Sequence, residues 1–294
     1  MLMTSKNRVD AGRSRSESRV ALLVGAMLLL AISVFTAGLI AQANDADARS
    51  ERRITLGSGT KNLKPNCGTD FSRDCTVEGK VTAYQLKRSD SPKPEPYAVP
   101  WAGKIVSWSI SLSRPTKREV NDGGVTRPAQ SPFFNDLFGS PASAGISVLR
   151  RVNRKQKGAP YWKMVRHSPV EILNPYFGTT VRFALEKPLN VIPKQIVALT
   201  IPTWAPALWK PASCNFDAIT GVKDPGACRV AETNYTWRGS RAVGKCRLGT
   251  ESNGEPNEAL AKTRPQQKVD SVRRYGCFYG SNALLYTATI VGQN

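Results

Sequence analysis

The side chains that could support catalysis in this 294-residue chain are few. His167 is the single histidine, and a Ser–His–Asp triad built on it would also need an exposed nucleophile, but no Gly-x-Ser-x-Gly turn is present. A glycosidase needs two facing carboxylates, and separation along the chain does not show which carboxylates face one another. The candidates are Glu171, Glu186, Asp217 and Glu232. We therefore predict no catalytic residue and no cofactor.

Basic residues beside aromatic residues form the main candidate site for a ligand. The densest basic run precedes Tyr161 and Trp162, and such a pairing can hold a polyanion by charge while a ring stacks on a flat ligand face. The run contains Arg150, Arg151, Arg154, Lys155 and Lys157. A solvated hairpin tip explains the same charges without a ligand. A second group, with Trp237, comprises Arg238, Arg241, Lys245 and Arg247.

Two tryptophans form a third candidate surface. Trp204 and Trp209 lie between Pro202 and Pro211, where a predicted strand ends. Tryptophans at such edges can stack on sugar rings, or they can seal the core at the end of a strand. We therefore include Trp162, Trp204 and Trp209 with the basic run among the predicted ligand-binding residues.

All six cysteines follow the longest apolar segment, and none precedes it. Their spacing contains no Cys-x-x-Cys pair, and one histidine is too few for a typical zinc site, so we predict disulfides and no metal. If that apolar segment crosses a membrane, all six cysteines lie on one side of it, and an even number there is typical of an exported domain. We predict sequential pairing: Cys67 with Cys75, Cys214 with Cys228, and Cys246 with Cys277.

Residues 20–43 carry no charge. As a helix they would span about 36 Å, which is enough to cross a hydrocarbon core of about 30 Å. The basic residues in 1–19 and the small residues ending at Ala43 also suit a signal peptide. Two alternatives stay open: a single-pass membrane protein with its C-terminal domain outside, or a secreted protein cleaved after Ala43.

The chain is strongly basic. Its net charge is +20, of which residues 1–19 contribute a net +3. Such a surface attracts polyanions, so the predicted partners are lipid headgroups or an anionic polymer of the cell envelope, in addition to the membrane contacted by residues 20–43. No recognised nucleic-acid module is present, which disfavours nucleic acid, and the sequence leaves the oligomeric state open.

Period-two alternation predicts an all-β fold. The clearest strand is 104–113, where Val106, Trp108, Ile110 and Leu112 alternate with serines. Further strands are predicted within 77–86 and at 145–152, 161–167, 170–173, 179–185, 195–201, 235–238 and 284–291. Many short strands separated by turn residues favour an antiparallel β-sandwich with jelly-roll-like topology.

The predicted domain organisation follows from these segments. Residues 44–75 form a spacer, and residues 76–294 form the β-sandwich with a disulfide-stapled irregular insertion at 211–281. One short helix is predicted within 121–144, capped by Ser131, with Pro132 in its first turn and Gly139 at its end. Its phenylalanines would form a lid on the core or an exposed knob.

Residues 100–202 resemble uncharacterised exported β-sandwich proteins of high-GC Gram-positive bacteria. The resemblance rests on 145–151, 168–173 and an apolar pattern within 181–199. The pattern contains Val181, Phe183, Ala184, Leu185, Pro188, Leu189, Val191, Pro193, Ile196 and Leu199. These positions are structural, so the resemblance implies a jelly-roll-like sandwich and no activity.

Two functional hypotheses follow from the sequence. The first is a non-catalytic binding or structural module of the cell envelope, whose basic surface contacts an anionic ligand. The alternative is a carbohydrate-binding or carbohydrate-active protein.

Overall fold

The computed structural model describes most of the chain after residue 50. The described residues are 51–60, 62–65, 77–86, 95–117, 120–122, 125–127, 129–153, 158–210, 216–217, 221–222, 235–243, 245–246, 262–280 and 282–292. The predicted export segment, 20–43, lies outside them. Within these ranges no helix is both long and apolar enough to cross a membrane.

The described chain is mostly antiparallel β-structure. Its strands are β1 (Arg52–Leu56), β2 (Glu78–Gln85), β3 (Gly103–Ser111), β4 (Val120–Asp122), β5 (Val125–Arg127), β6 (Ser143–Val152), β7 (Tyr161–His167), β8 (Glu171–Ile172), β9 (Thr180–Val191), β10 (Gln195–Ala205), β11 (Leu208–Trp209), β12 (Phe216–Asp217), β13 (Gly221–Val222), β14 (Thr236–Gly239), β15 (Val272–Arg274), β16 (Cys277–Gly280), β17 (Ala283–Leu284) and β18 (Tyr286–Gly292). The one α-helix of the described residues is α1 (Gln130–Phe138), and single 3-10 turns occupy Ser58–Thr60 and Asn174–Tyr176. The prediction of an antiparallel β-protein is thereby confirmed.

The smaller main sheet has four strands in the order β1-β18-β3-β9. The predicted alternation in β3 holds at Trp108 and Ile110, whose side chains are buried, but it fails at Val106. The pairing of β3 shifts register between Ile105 and Ser107, so a bulge at Val106 turns Ile105 into the core instead. Alternation alone could not predict this one-residue irregularity.

The larger sheet has the path β15-β7-β6-β10-β2-β14-β16, with β8 also pairing with β6. Its two end strands, β15 and β16, are separated only by Tyr275 and Gly276. One bent segment, 272–280, therefore pairs with β7 at one edge and with β14 at the other. We call this segment the closing strand, because it makes the sheet curl back on itself.

Aromatic contacts across the sheet confirm the curl. Tyr84 in β2 and Trp162 in β7 are separated by three strand spacings, about 14 Å in a flat sheet. Their ring centroids are only 5.2 Å apart, and Nε1 of Trp162 donates a hydrogen bond of 3.1 Å to the Tyr84 hydroxyl. Tyr275 of the closing strand packs against Tyr84 with a centroid separation of 5.7 Å. These rings fill the inside of the curled sheet.

A buried hydroxyl chain lies on the same inner side. The Thr82 hydroxyl donates to the Gln266 carbonyl at 2.8 Å, so its contact of 3.1 Å with Thr200 must be one in which Thr200 donates. Thr200 in turn accepts from Ser147 at 2.7 Å. The Gln266 side chain donates to the Trp162 and Ser271 carbonyls and accepts from the Tyr275 hydroxyl. Gln266 thus pairs with polar groups of Trp162, Ser271 and Tyr275 inside the sheet.

The outer side of the large sheet shares one hydrophobic core with the small sheet. Val81, Val148 and Val197 on the large sheet are fully buried, as are Ile110 and Ile290 on the small one. A direct link comes from Tyr286 in β18, whose hydroxyl donates to the Val197 carbonyl at 3.0 Å. The central strands β2 and β10 are therefore buried on both faces, which explains the nearly continuous apolar run in β10.

The helix forms within the predicted range with a different N-cap. It begins at Gln130 after Ala129, so Ser131 lies inside the first turn and is not the cap. Gly139 ends the helix as predicted, with a φ of 93° that glycine adopts readily. Phe134 and Phe138 are buried against the core, which is the predicted lid, while Phe133 is 38% exposed.

Two of the predicted irregular segments contain strands of the main sheets. Within the predicted spacer, Arg52–Leu56 forms the edge strand β1 and pairs with β18 along its whole length. Only two apolar residues alternate there, which is too short a pattern to predict a strand. Within the predicted irregular insertion, β14, β15 and β16 are members of the large sheet.

One predicted disulfide is confirmed: Cys246 is bonded to Cys277. This bridge joins the segment after β14 to β16, the strand that already pairs with β14. The other four cysteines, Cys67, Cys75, Cys214 and Cys228, lie outside the described residues.

Burial raises the pKa of five tyrosines, which predicts a delayed alkaline titration. The pKa values of Tyr84 and Tyr279 rise from 10.0 to about 12, chiefly because burial disfavours the phenolate. The pKa values of Tyr97, Tyr275 and Tyr286 rise further for the same reason. Because the folded pKa values exceed the unfolded ones, this contribution to stability is complete below pH 10 and is lost as the pH rises towards 12 and above.

We therefore expect the phenolates of these tyrosines to appear together with alkaline unfolding. Near-ultraviolet absorbance would report the phenolates and circular dichroism would report the unfolding. Complete ionisation of all eight tyrosines near pH 10 in the folded protein would contradict the buried positions.

Candidate functional site

A basic cavity of about 940 Å³ is the candidate site. It lies where the segment that follows β14 faces residues 262–264 and β15. The lining residues are Ser240, Arg241, Ala242, Val243, Lys245, Lys262, Thr263, Arg264, Val272, Arg273 and Arg274. Six of these eleven are Lys or Arg and none is acidic. Its volume is within the range of small-molecule sites in proteins.

The closing strand positions one wall of the cavity. Backbone bonds hold its start and its bend: the Met164 amide donates to the Ser271 carbonyl at 3.0 Å, and the Tyr275 amide donates to the Pro160 carbonyl at 2.9 Å. The opposite wall is the segment that follows β14. It is fixed to the closing strand because the Gly276 amide donates to the Arg241 carbonyl at 3.0 Å. Both walls are therefore part of the hydrogen-bonded framework.

Arg241 anchors the cavity to the protein interior. Its guanidinium forms a fully buried ion pair with Glu78 and also donates to the Gly79 carbonyl and, at 2.8 Å, to the Tyr279 hydroxyl. Burial raises the pKa of the Glu78 carboxyl, and the Arg241 charge opposes that rise. The pair fixes Arg241 in one orientation.

Some hydrogen-bond donors at this cavity have no acceptor among the described residues. Within the described part of the chain, the buried Nε atoms of Arg241 and Arg274 have no hydrogen-bond partner. Among the described residues, Arg273 donates to the backbone carbonyl of Arg264. Lys245 and Arg264 extend towards solvent. An anion would supply the acceptors that such a lining lacks.

The confirmed disulfide borders the cavity. Cys246 directly follows the lining residue Lys245, and the sulfur of its partner Cys277 lies 3.3 Å from the carbonyl oxygen of Ala242, which also lines the cavity. The bridge therefore fixes the segment carrying Arg241 and Lys245 against β16.

The predicted basic run lies next to this cavity. Arg150 and Arg151 are exposed on β6, and Arg151 stands in one cross-strand row with Trp162 and the cavity residue Arg273. Three residues before β7, a Cβ on Gly158 would lie 3.0 Å from Nη2 of Arg274. Three further members of the run lie outside the described residues: Arg154, Lys155 and Lys157.

The three predicted ligand-binding tryptophans are not together. Trp162 is 8% exposed and bonded to Tyr84 inside the large sheet. Trp204 is fully buried, and its Nε1 donates to Oδ1 of Asn135 in the helix at 3.0 Å. Trp209 is half-buried and packs edge-on against Tyr235 at 4.7 Å. The two buried rings therefore present almost no surface to a ligand.

His167 is separate from the cavity. It is exposed at the end of β7, and its Nδ1 lies 2.8 Å from the Ser168 carbonyl oxygen. The Ser168 hydroxyl donates to the Pro169 carbonyl at 2.7 Å, so it is engaged with the backbone. This pair does not have the nucleophile–base hydrogen bond of a triad.

Sequence reasoning identified Arg241 and Lys245 as part of the second basic group but missed four other cations: Lys262, Arg264, Arg273 and Arg274. These four residues flank Pro265–Ser271, and the bend of the closing strand brings Arg273 and Arg274 to Arg241. No protein-family model, no curated protein and no solved structure matches this chain. The resemblance to exported sandwich proteins therefore stays a prediction.

Proposed function

We propose that this protein is a non-catalytic module of the cell envelope that binds an anionic ligand in its basic cavity. The observation that carries the proposal is the lining itself: six of its eleven described residues are cationic and none of the eleven is acidic, and the buried Nε atoms of Arg241 and Arg274 have no hydrogen-bond partner among the described residues. Four of the six cations are arginines, whose planar guanidinium suits phosphate and carboxylate oxygens.

The fold and location proposed here rest on further observations. The shared core between the two main sheets supports a sandwich-like arrangement. The disulfide supports an oxidising compartment, since such bonds are rare in the cytosol. With residues 20–43 as signal-anchor or signal peptide, the domain would work outside the cytoplasm, either tethered or released.

Neutralising two exposed cavity cations tests the proposed function. The double variant Lys245→Gln/Arg264→Gln is expected to weaken binding of inorganic polyphosphate to the full chain by about tenfold, because each charge-assisted hydrogen bond contributes about 1.5–3 kcal/mol before solvent screening reduces it. Titration calorimetry at several salt concentrations provides the measurement, and the affinity should fall as salt increases.

The matched control is Lys104→Gln/Arg166→Gln. It removes one lysine and one arginine that are equally exposed but lie on β3 and β7 away from the cavity. Equal losses in the two double variants would show that net charge, and not the cavity, binds the polyanion. Salt-independent binding would also contradict the proposal.

A further inference from the structure

Exposed apolar side chains lie beside the basic cavity. Val243, which lines it, is 59% exposed, and Phe278 in the closing strand is 54% exposed. A cavity for a soluble anion requires charge and donors but gains nothing from such side chains. Their presence in water is unfavourable, at about 25 cal/mol for each Å² of apolar surface.

Val243 and Phe278 both lie along the closing strand. A Cβ on Gly276 would lie 2.9 Å from Cγ2 of Val243, so Val243 packs directly on the bend of this segment. Phe278 follows Gly276 by two residues, in β16. Both exposed side chains therefore border the same segment of the chain.

Cations border these apolar groups. The Arg238 guanidinium carbon lies 5.4 Å from the centre of the Phe278 ring, and its Nη1 donates to the Tyr275 carbonyl at 3.3 Å. Lys245 follows Val243 by two residues and lines the cavity. Exposed apolar groups surrounded by cations are the arrangement that binds the boundary between headgroups and acyl chains of anionic membranes.

We propose that this face docks on an anionic lipid bilayer. A phosphate-bearing headgroup enters the basic cavity, while Val243 and Phe278 dip into the boundary region beside it. This inference rests on the proposed function and specifies its ligand. Lipid fits better than a soluble polymer because it supplies negative charge and an apolar phase at one surface, matching both features of the face.

Hydrogen–deuterium exchange on the full chain tests the docking. The chain is compared in phosphatidylcholine bilayers with and without phosphatidylglycerol, so any insertion of residues 20–43 is common to both arms. We expect the amides of 240–246 and 276–280 to exchange about tenfold more slowly when phosphatidylglycerol is present, the factor given by a docking free energy of about 1.4 kcal/mol. The amides of 189–195 provide the internal reference.

Two matched double variants separate apolar docking from charge. Val243→Ser/Phe278→Ser should remove the added protection, whereas Ile172→Ser/Ile192→Ser, at 55% and 52% exposure, should retain it. Circular dichroism and urea unfolding establish that both variants are folded. All four positions are on the surface, so a serine there is expected to change stability little.

The outcomes distinguish docking on a lipid bilayer from anion binding in the basic cavity. Equal protection in both variants would overturn lipid docking and leave the binding of anions by charge intact. Protection by inorganic polyphosphate but not by phosphatidylglycerol bilayers would identify a soluble polyanion as the ligand and also overturn the inference. No protection by either probe would overturn both proposals.

Discussion

Glu78→Gln is expected to lower the free energy of unfolding by about 3–5 kcal/mol. The substitution preserves the shape of the side chain but removes the negative charge that Glu78 places beside the buried Arg241 guanidinium. An uncompensated charge in the interior is far more costly than the loss of a surface ion pair. Because small domains have about 5–15 kcal/mol of stability in total, a loss of this size is easily measured by urea unfolding.

Two further variants show whether the buried charge is the cause. Glu186→Gln removes an exposed carboxylate in β9 and should change stability by less than about 0.5 kcal/mol. The double variant Glu78→Leu/Arg241→Met removes both charges and should recover most of the stability lost in Glu78→Gln. If the double variant were less stable than the single one, the pair would be contributing net stability through its additional hydrogen bonds.

Trp162→Ala is expected to destabilise the protein by about 3–5 kcal/mol. The ring fills the inside of the curled sheet, where it contacts Tyr84 edge-on and donates to the Tyr84 hydroxyl. Its removal creates a cavity and leaves that hydroxyl with one fewer buried partner. Urea unfolding measures the loss, and polyphosphate binding by the remaining folded protein should be unchanged.

Trp209→Ala is the matched control. The ring is half-buried at the end of β11, where it packs on Tyr235, so its loss should cost about 1 kcal/mol. A large effect of Trp162→Ala on binding with little effect on stability would instead return Trp162 to the ligand site that its sequence neighbours suggest.

Local pattern predicts the individual strands better than their partners. The range 161–167 matches β7 at both ends, and 195–201 begins where β10 begins, because apolar runs between turn residues determine these elements. Sequence periodicity does not predict that β15 pairs with β7 or that β16 pairs with β14. Within the low-apolar region 211–281, closure of the sheet outweighed local propensity.

The same distinction applies to the candidate site. Arg241 and Lys245 lie close together in sequence, so the sequence alone predicts them as members of one basic group. Arg273 and Arg274 join them only through the bend at Tyr275 and Gly276, and Glu78 reaches Arg241 across 163 positions. Trp162 shows the reverse relation, since its basic neighbours in sequence suggest a ligand site, whereas the structure buries its ring on the inner side of β7.

The closing strand determines when this fold can be completed. Residues 272–280 join both edges of the large sheet, and β18 is the inner strand that joins β1 to β3 in the small one. A chain that emerges amino end first, from a ribosome or a translocation pore, therefore has open edges in both sheets until residues 272–292 are released. We therefore expect the polypeptide to stay incompletely folded, and able to pass through a pore, until its last strands are released.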